Sequence, residues 1–75
     1  MKKYSAKKLA ELANISIRTL HYYDQIGLLK PAFRSEKGYR FYGRNELLIL
    51  QQILFYKELG FTLKDIEASI KAADF

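Results

Sequence analysis

Apolar residues recur at Ala6, Leu9, Ala10 and Ala13, the i, i+3, i+4, i+7 spacing that lays a stripe along one side of a helix. Ser5 stands just ahead as an N-cap, which predicts a first helix over about Ala6 to Ala13. Asn14 tolerates the left-handed conformation of a tight turn, and Ser16 is placed to cap a second helix that ends at Gly27. Two helices about three residues apart predict a helix-turn-helix. Pro31 disfavours helix at Lys30, so Leu28 to Pro31 continues as extended chain. From Phe33 to Tyr42 the helical period is lost, and Phe33-Arg34 and Tyr39-Arg40-Phe41-Tyr42 read as two short strands joined around Ser35-Glu36-Lys37-Gly38. Alternation puts Tyr39 and Phe41 on one face of this hairpin and Arg40 and Tyr42 on the other, with Phe41 the best candidate for the core.

A long third helix is predicted from about Arg44 to Leu59, with Leu47, Leu50, Ile53, Leu54 and Tyr56 as the spine of the core and Gly60 as its end. Thr62-Leu63-Lys64-Asp65 has capping-box form with Asp in place of Glu and opens a fourth helix to about Ala72, with Ile66 and Ile70 facing inward. The expected fold class is mainly α, a winged helix-turn-helix of four helices with a short two-stranded β-hairpin wing. It forms one domain over 1–75, with the helix-turn-helix at about 5–27, the wing at about 33–42 and the core helices at about 44–72.

Composition narrows the chemistry. A chain of 75 residues buries only roughly 60% of its unfolded surface, which argues against a deep catalytic cleft. Cysteine is absent and histidine occurs once, which excludes a disulfide framework, a zinc finger and a thiol redox site, so no cofactor or metal is expected. Nothing approaches the roughly 20 apolar residues of a bilayer span, and a cytoplasmic protein without a membrane partner is expected. The net charge of +5 is unevenly placed: residues 1–42 carry nine Lys or Arg against three acids, and residues 43–75 carry four against five. The N-terminal half is thus suited to a polyanion. An ordinary solvated surface is the bland reading of the same charge, and Lys2, Lys3, Lys7 and Lys8 are assigned to it.

On a helical wheel with Arg18 at zero, Tyr22, Gln25 and His21 fall within about 60°, while Leu20 lies nearly opposite. The exposed stripe therefore combines a cation, an imidazole, a phenol and an amide, groups that contact phosphates and base edges in a major groove. Covering the edge of the core is the competing role for His21 and Tyr22. Tyr23, on the flank, is divided between packing and direct contact. Asp24 is turned away and is read as structural, since DNA phosphates repel a carboxylate. Lys37, Tyr39 and Arg40 near the hairpin tip, where Gly38 permits close backbone approach, are suited to phosphates.

Ser16-Ile17-Arg18-Thr19-Leu20-His21-Tyr22-Tyr23-Asp24, Gly27-Leu28-Leu29, Gly38-Tyr39-Arg40-Phe41-Tyr42 and Gly60-Phe61-Thr62-Leu63, in that order, resemble the DNA-binding domain of the MerR family. The runs from Arg18 to Asp24 and from Leu50 to Phe61 resemble most its drug-responsive and thiostrepton-responsive activators. The resemblance implies a second helix that enters the major groove, with the hairpin as a first wing and the turn before the fourth helix, Phe61 to Lys64, as a second. The DNA-binding residues so expected are Ser16, Arg18, Thr19, His21, Tyr22, Tyr23, Lys37, Gly38, Tyr39, Arg40, Tyr42, Phe61 and Lys64. It further implies a transcriptional regulator at a palindromic promoter operator, with RNA polymerase as a partner, that activates by bending and untwisting DNA. Homodimerisation is implied through a long helix that family members carry beyond the position of Phe75. This chain, without that helix and without an effector domain, is expected to be a monomer or weak dimer. An excisionase-like architectural DNA-binding factor is the alternative, and a protein-interaction module a third reading, which the cationic wing argues against. Gly43 departs from the better caps common in the family and is expected to weaken the third helix's start.

Overall fold

Each helix begins and ends on a local signal, and the ends fix how the elements are placed. A computed structural model describes residues 3–72. In it a strand β1 (Tyr4–Ser5) runs directly into helix α1 (Ala6–Ala13), where the Ser5 hydroxyl accepts the Lys8 backbone N–H at 3.1 Å. Asn14, at φ 58°, closes α1 in the left-handed conformation, and the Ile15 N–H reaches back to the Ala10 carbonyl at 3.0 Å. Helix α2 (Ile17–Gln25) starts at Ser16, whose hydroxyl accepts the Thr19 N–H at 3.0 Å. Gly27, at φ 77°, closes α2 with the same wrap, the Leu28 N–H donating to the Tyr23 carbonyl at 2.9 Å.

The hairpin follows as β2 (Phe33–Arg34) and β3 (Arg40–Tyr42), turned through Ser35 to Gly38. The sequence predicts two strands, and the structure has three: β1 pairs antiparallel with β3 through Tyr4↔Tyr42, giving the order β1-β3-β2. Periodicity could not show this strand, because its partner lies far along the chain. Alternation was right about which residues share a face and wrong about which face is inside. Tyr42 is fully buried, whereas Phe41 lies on the outer face, stacked on Phe33 at 5.2 Å with the Lys3 ammonium over both rings. The inner face is the one that β3 presses against α1 and α3.

Helix α3 (Arg44–Glu58) has no side-chain cap at Gly43, but the Glu46 carboxylate accepts the Gly43 N–H at 2.7 Å and offsets part of that deficit. At its far end Phe61 folds back edge-on against Tyr56, centroids 5.5 Å apart, the apolar contact that accompanies this kind of helix end. Helix α4 (Leu63–Ala72) starts at Thr62, whose hydroxyl accepts the Asp65 N–H at 3.1 Å, the threonine half of the expected box.

The core joins Leu9 and Ala10 of α1, Leu20 and Tyr23 of α2, Leu28, Leu29, Tyr42, Leu50 and Ile53 of α3, and Ile66 of α4. Each large aliphatic member contributes about 1.5–3 kcal/mol by burial. Helix α2 packs on α1, and α1 on α3, with the outer side of α2 left free. No helix among the described residues is long and apolar enough to cross a membrane.

Candidate nucleic-acid interface

The free side of α2 is the stripe that the wheel marks out. Arg18 and Gln25 are exposed, Tyr22 is 48% exposed, and His21 is half-buried, while Leu20 on the opposite side is sealed in the core. Ser16 and Thr19 sit at the start of the helix, where their hydroxyls bond to each other at 2.9 Å. Both are thus occupied in forming the cap, and any contact they make is secondary to it. Tyr23 is 2% exposed, and burial pushes its hydroxyl up from the ordinary tyrosine value. Of its two alternatives, packing is the one the structure favours.

The wing tip stands beside this stripe. Lys37 and Gly38 are exposed, and Tyr39 is 66% exposed. The Ser35 hydroxyl accepts the Tyr39 N–H at 3.2 Å and the Tyr39 carbonyl accepts the Ser35 N–H at 2.9 Å, so the turn that presents these groups is tied across its base. A shallow groove runs between the two elements, walled by Ile17 and His21 on α2, Gly38, Tyr39 and Phe41 on the wing, and Lys7 on α1. Lys7, assigned by sequence to ordinary surface, therefore borders the site, and Ile17, 40% exposed, supplies an apolar contact there that polarity-based reading passes over.

Two wing residues are placed differently from expectation. Tyr42 cannot offer its side chain to DNA: it is fully buried, and burial first, then the nearby Asp24 charge, raises its hydroxyl above the ordinary value. Arg40 is only partly available, because its Nε donates to the Asp24 carboxylate at 2.7 Å. Arg34, which the sequence reading left out, donates to the same Asp24 oxygen at 2.6 Å, and the Lys30 ammonium lies 3.8 Å from the other. Arg34 and Arg40 face each other across the β2–β3 pairing, where like charges repel; the buried carboxylate between them removes that conflict. Burial alone would raise the Asp24 carboxyl, but hydrogen bonds from Arg40 and Arg34, with their charges, hold it below its ordinary value. Asp24 is structural, as its turn away from Arg18 implies, and it ties the exposed helix to the wing.

Beyond the wing, Phe61 is 48% exposed and Lys64 is exposed at the start of α4. The site is therefore a surface and not a pocket: a helix face, a hairpin tip beside it, and a second exposed turn. This arrangement offers cations, phenols and an imidazole to an extended anionic partner.

The profile of the MerR HTH family regulatory proteins matches residues 4–73. The chain belongs to the MerR family. The HTH-type transcriptional regulator SkgA of Caulobacter vibrioides is 49% identical over 75 residues, all of this chain and 29% of SkgA. A SkgA crystal structure superposes with a TM-score of 0.88, covering 100% of this chain and 54% of that one. The HTH-type transcriptional activator mta of Bacillus subtilis is 48% identical over 73 residues, 97% of this chain and 28% of mta. HiNmlR, a MerR family regulator lacking the sensor domain and crystallised bound to promoter DNA, is 35% identical with a TM-score of 0.85, covering 96% of this chain and 55% of that one. The chain thus spans less than a third of the length of SkgA and of mta. The family match covers α2 and the wing along with the rest of the described fold.

Proposed function

We propose that the chain is the DNA-reading domain of a MerR-type transcriptional regulator that recognises a palindromic promoter operator in double-stranded DNA. The observation that carries this is the Arg18–His21–Tyr22 stripe of α2 lying beside the Tyr39 wing tip, with His21 and Tyr39 lining one groove between them. In this reading α2 lies in the major groove, Arg18 contacts a guanine edge or a phosphate, and Tyr22 meets a base or its neighbouring phosphate. Lys37, Gly38 and Tyr39 hold the backbone on one flank, Phe61 and Lys64 on the other. Arg40 contributes through the part of its guanidinium not bound to Asp24. Tyr23 and Tyr42 support this surface from beneath.

The larger mechanism follows the family: a homodimer acting with RNA polymerase in the cytoplasm and activating by distorting the DNA between promoter elements. The promoter-bound state of HiNmlR supports the DNA part of this reading. An excisionase-like role has no observation of its own in its favour.

Selection from a randomised duplex should return a defined half-site, and log affinity for it should fall with log salt by about 0.9 for each phosphate neutralised. Arg18→Ala and Tyr39→Ala should each cost about 1–3 kcal/mol of affinity, whereas Lys71→Gln on the far part of α4 should cost little. Equal losses at all three positions would mean that diffuse charge, not this face, carries binding. Straight DNA in a circular-permutation assay of the dimeric regulator would remove the distortion mechanism.

A further inference from the structure

Where α2 meets the base of the wing, a second cleft is walled by His21, Gln25, Lys30, Arg34 and Arg40, with Asp24 at its floor. We infer that this cleft seats a single phosphate of the DNA backbone, with Lys30 and Arg34 as binding residues beside Arg40. The inference rests on the DNA-binding reading above and adds a discrete site to it.

Three cations converge on one carboxylate here. Neutralising Asp24 needs only one of them, so positive charge is left over at a concave surface. Two of the three are arginines held directly opposite each other, an arrangement that repels unless an anion lies between or before them. Asp24 supplies that anion on the inner side. It uses Nη2 of Arg34 and Nε of Arg40, and the remaining N–H groups of each planar fork are free to bind a second anion. The side chains stay reachable, 68% exposed for Lys30, 50% for Arg34 and 30% for Arg40. Asp24 therefore acts as an internal counter-ion that aims two guanidiniums, so that little ordering is left for the moment of binding.

Position selects the source of the anion. His21 and Gln25, which border the cleft, also belong to the α2 stripe that faces the groove, so an anion held here lies alongside the strand that borders that groove. A backbone phosphate satisfies this placement. Free inorganic phosphate shares the chemistry but has no reason to depend on the neighbouring stripe.

The experiment uses Lys30→Gln and Arg34→Gln in the full chain, with Lys71→Gln as control, and measures affinity for the selected duplex across a salt series in phosphate-free buffer. Lys30→Gln is the safe variant for folding, because Lys30 is exposed and only 3.8 Å from Asp24 by charge alone. Each cleft variant should lower the log–log salt slope relative to the parent, by up to the roughly 0.9 of one neutralised phosphate, and the control should leave it unchanged. In parallel, the Arg34 and Arg40 Nε–H resonances should shift with duplex and stay in place with millimolar inorganic phosphate. A parent slope of ordinary size that both cleft variants retain overturns the phosphate site and leaves the DNA reading standing. A parent slope near zero overturns the DNA reading itself. Resonances that move with inorganic phosphate while the slopes stay equal assign the cleft to a free anion and overturn the proposal.

Discussion

Replacing Asp24 by Asn removes the charge on which α2 and the wing are joined while keeping nearly the same shape. The carboxylate is 3% exposed and accepts two charge-assisted hydrogen bonds, of 2.6 and 2.7 Å, from Arg34 and Arg40. Such bonds contribute about 1.5–3 kcal/mol each. The arginines are 50% and 30% exposed, so water recovers part of what they lose. The expected destabilisation is about 2 kcal/mol, above the ~1 kcal/mol of an exposed pair and below the ~3–5 kcal/mol of a buried pair broken on one side. For a domain of this size it should lower Tm by roughly 8–16 °C, measured by far-UV circular dichroism. Acid tests the cause. The Asp24 carboxyl sits below its ordinary value in the folded chain, so on acidification the unfolded chain takes up this proton first. The stabilisation is whole above the ordinary carboxylate range and is lost as pH falls through the lower folded value. Urea unfolding of parent and Asp24→Asn should therefore differ most near neutrality and converge in strong acid. A gap that stays constant across that range, or no gap at neutral pH, would refute the account of the clamp.

Other expectations concern single groups. Tyr42→Phe should leave stability unchanged or raise it by up to about 1 kcal/mol, since the buried hydroxyl has no hydrogen-bond partner among the described residues; a tenfold loss of DNA affinity in this variant would put that hydroxyl at the interface after all. Glu46→Ala should cost about 0.5–1.5 kcal/mol in chemical unfolding by freeing the Gly43 N–H, and an unchanged midpoint would show that α3 does not depend on that bond. Asn14 tolerates its φ of 58°, so Asn14→Gly should be close to neutral while Asn14→Val costs about 1–2 kcal/mol by thermal melt; equal melts would mean that the turn does not hold this conformation in solution.

The helices were legible because their signals are local. Ser5, Ser16, Asn14, Gly27 and Gly60 act within a turn of where they stand, and the core positions of α1, α3 and α4 follow from spacing alone. The exposed stripe of α2 was legible for the same reason. What escaped was long-range. The Asp24 bonds to Arg34 and Arg40 span ten and sixteen residues, and no period within an element announces them. The hairpin's alternation could say that Arg40 and Tyr42 share a face, but only the packing of β3 on α1 and α3 decides that this face is inward. Phe41 is the core candidate by sequence, and the sheet places the more polar Tyr42 ring inside instead. Lys30 and Arg34 were missed at the surface because each alone is an ordinary cation; only a hairpin centred on Lys37 sets Arg34 opposite Arg40, and the turn residues Ser35 to Gly38 do not announce that centre.

The pairing of β1 with β3 leaves the wing without a free edge on that side. A two-stranded hairpin on a flexible stalk would have to be ordered when it met DNA, at about 1–2 kcal/mol for each residue fixed. Here β3 is the central strand of three, and β1 passes without a spacer into α1, so the wing's bearing relative to α2 is set during folding. Deleting Tyr4 and Ser5 would therefore slacken the wing and uncap α1 together. Tyr4 and Ser5 thus act as a brace for the surface formed by α2 and the wing.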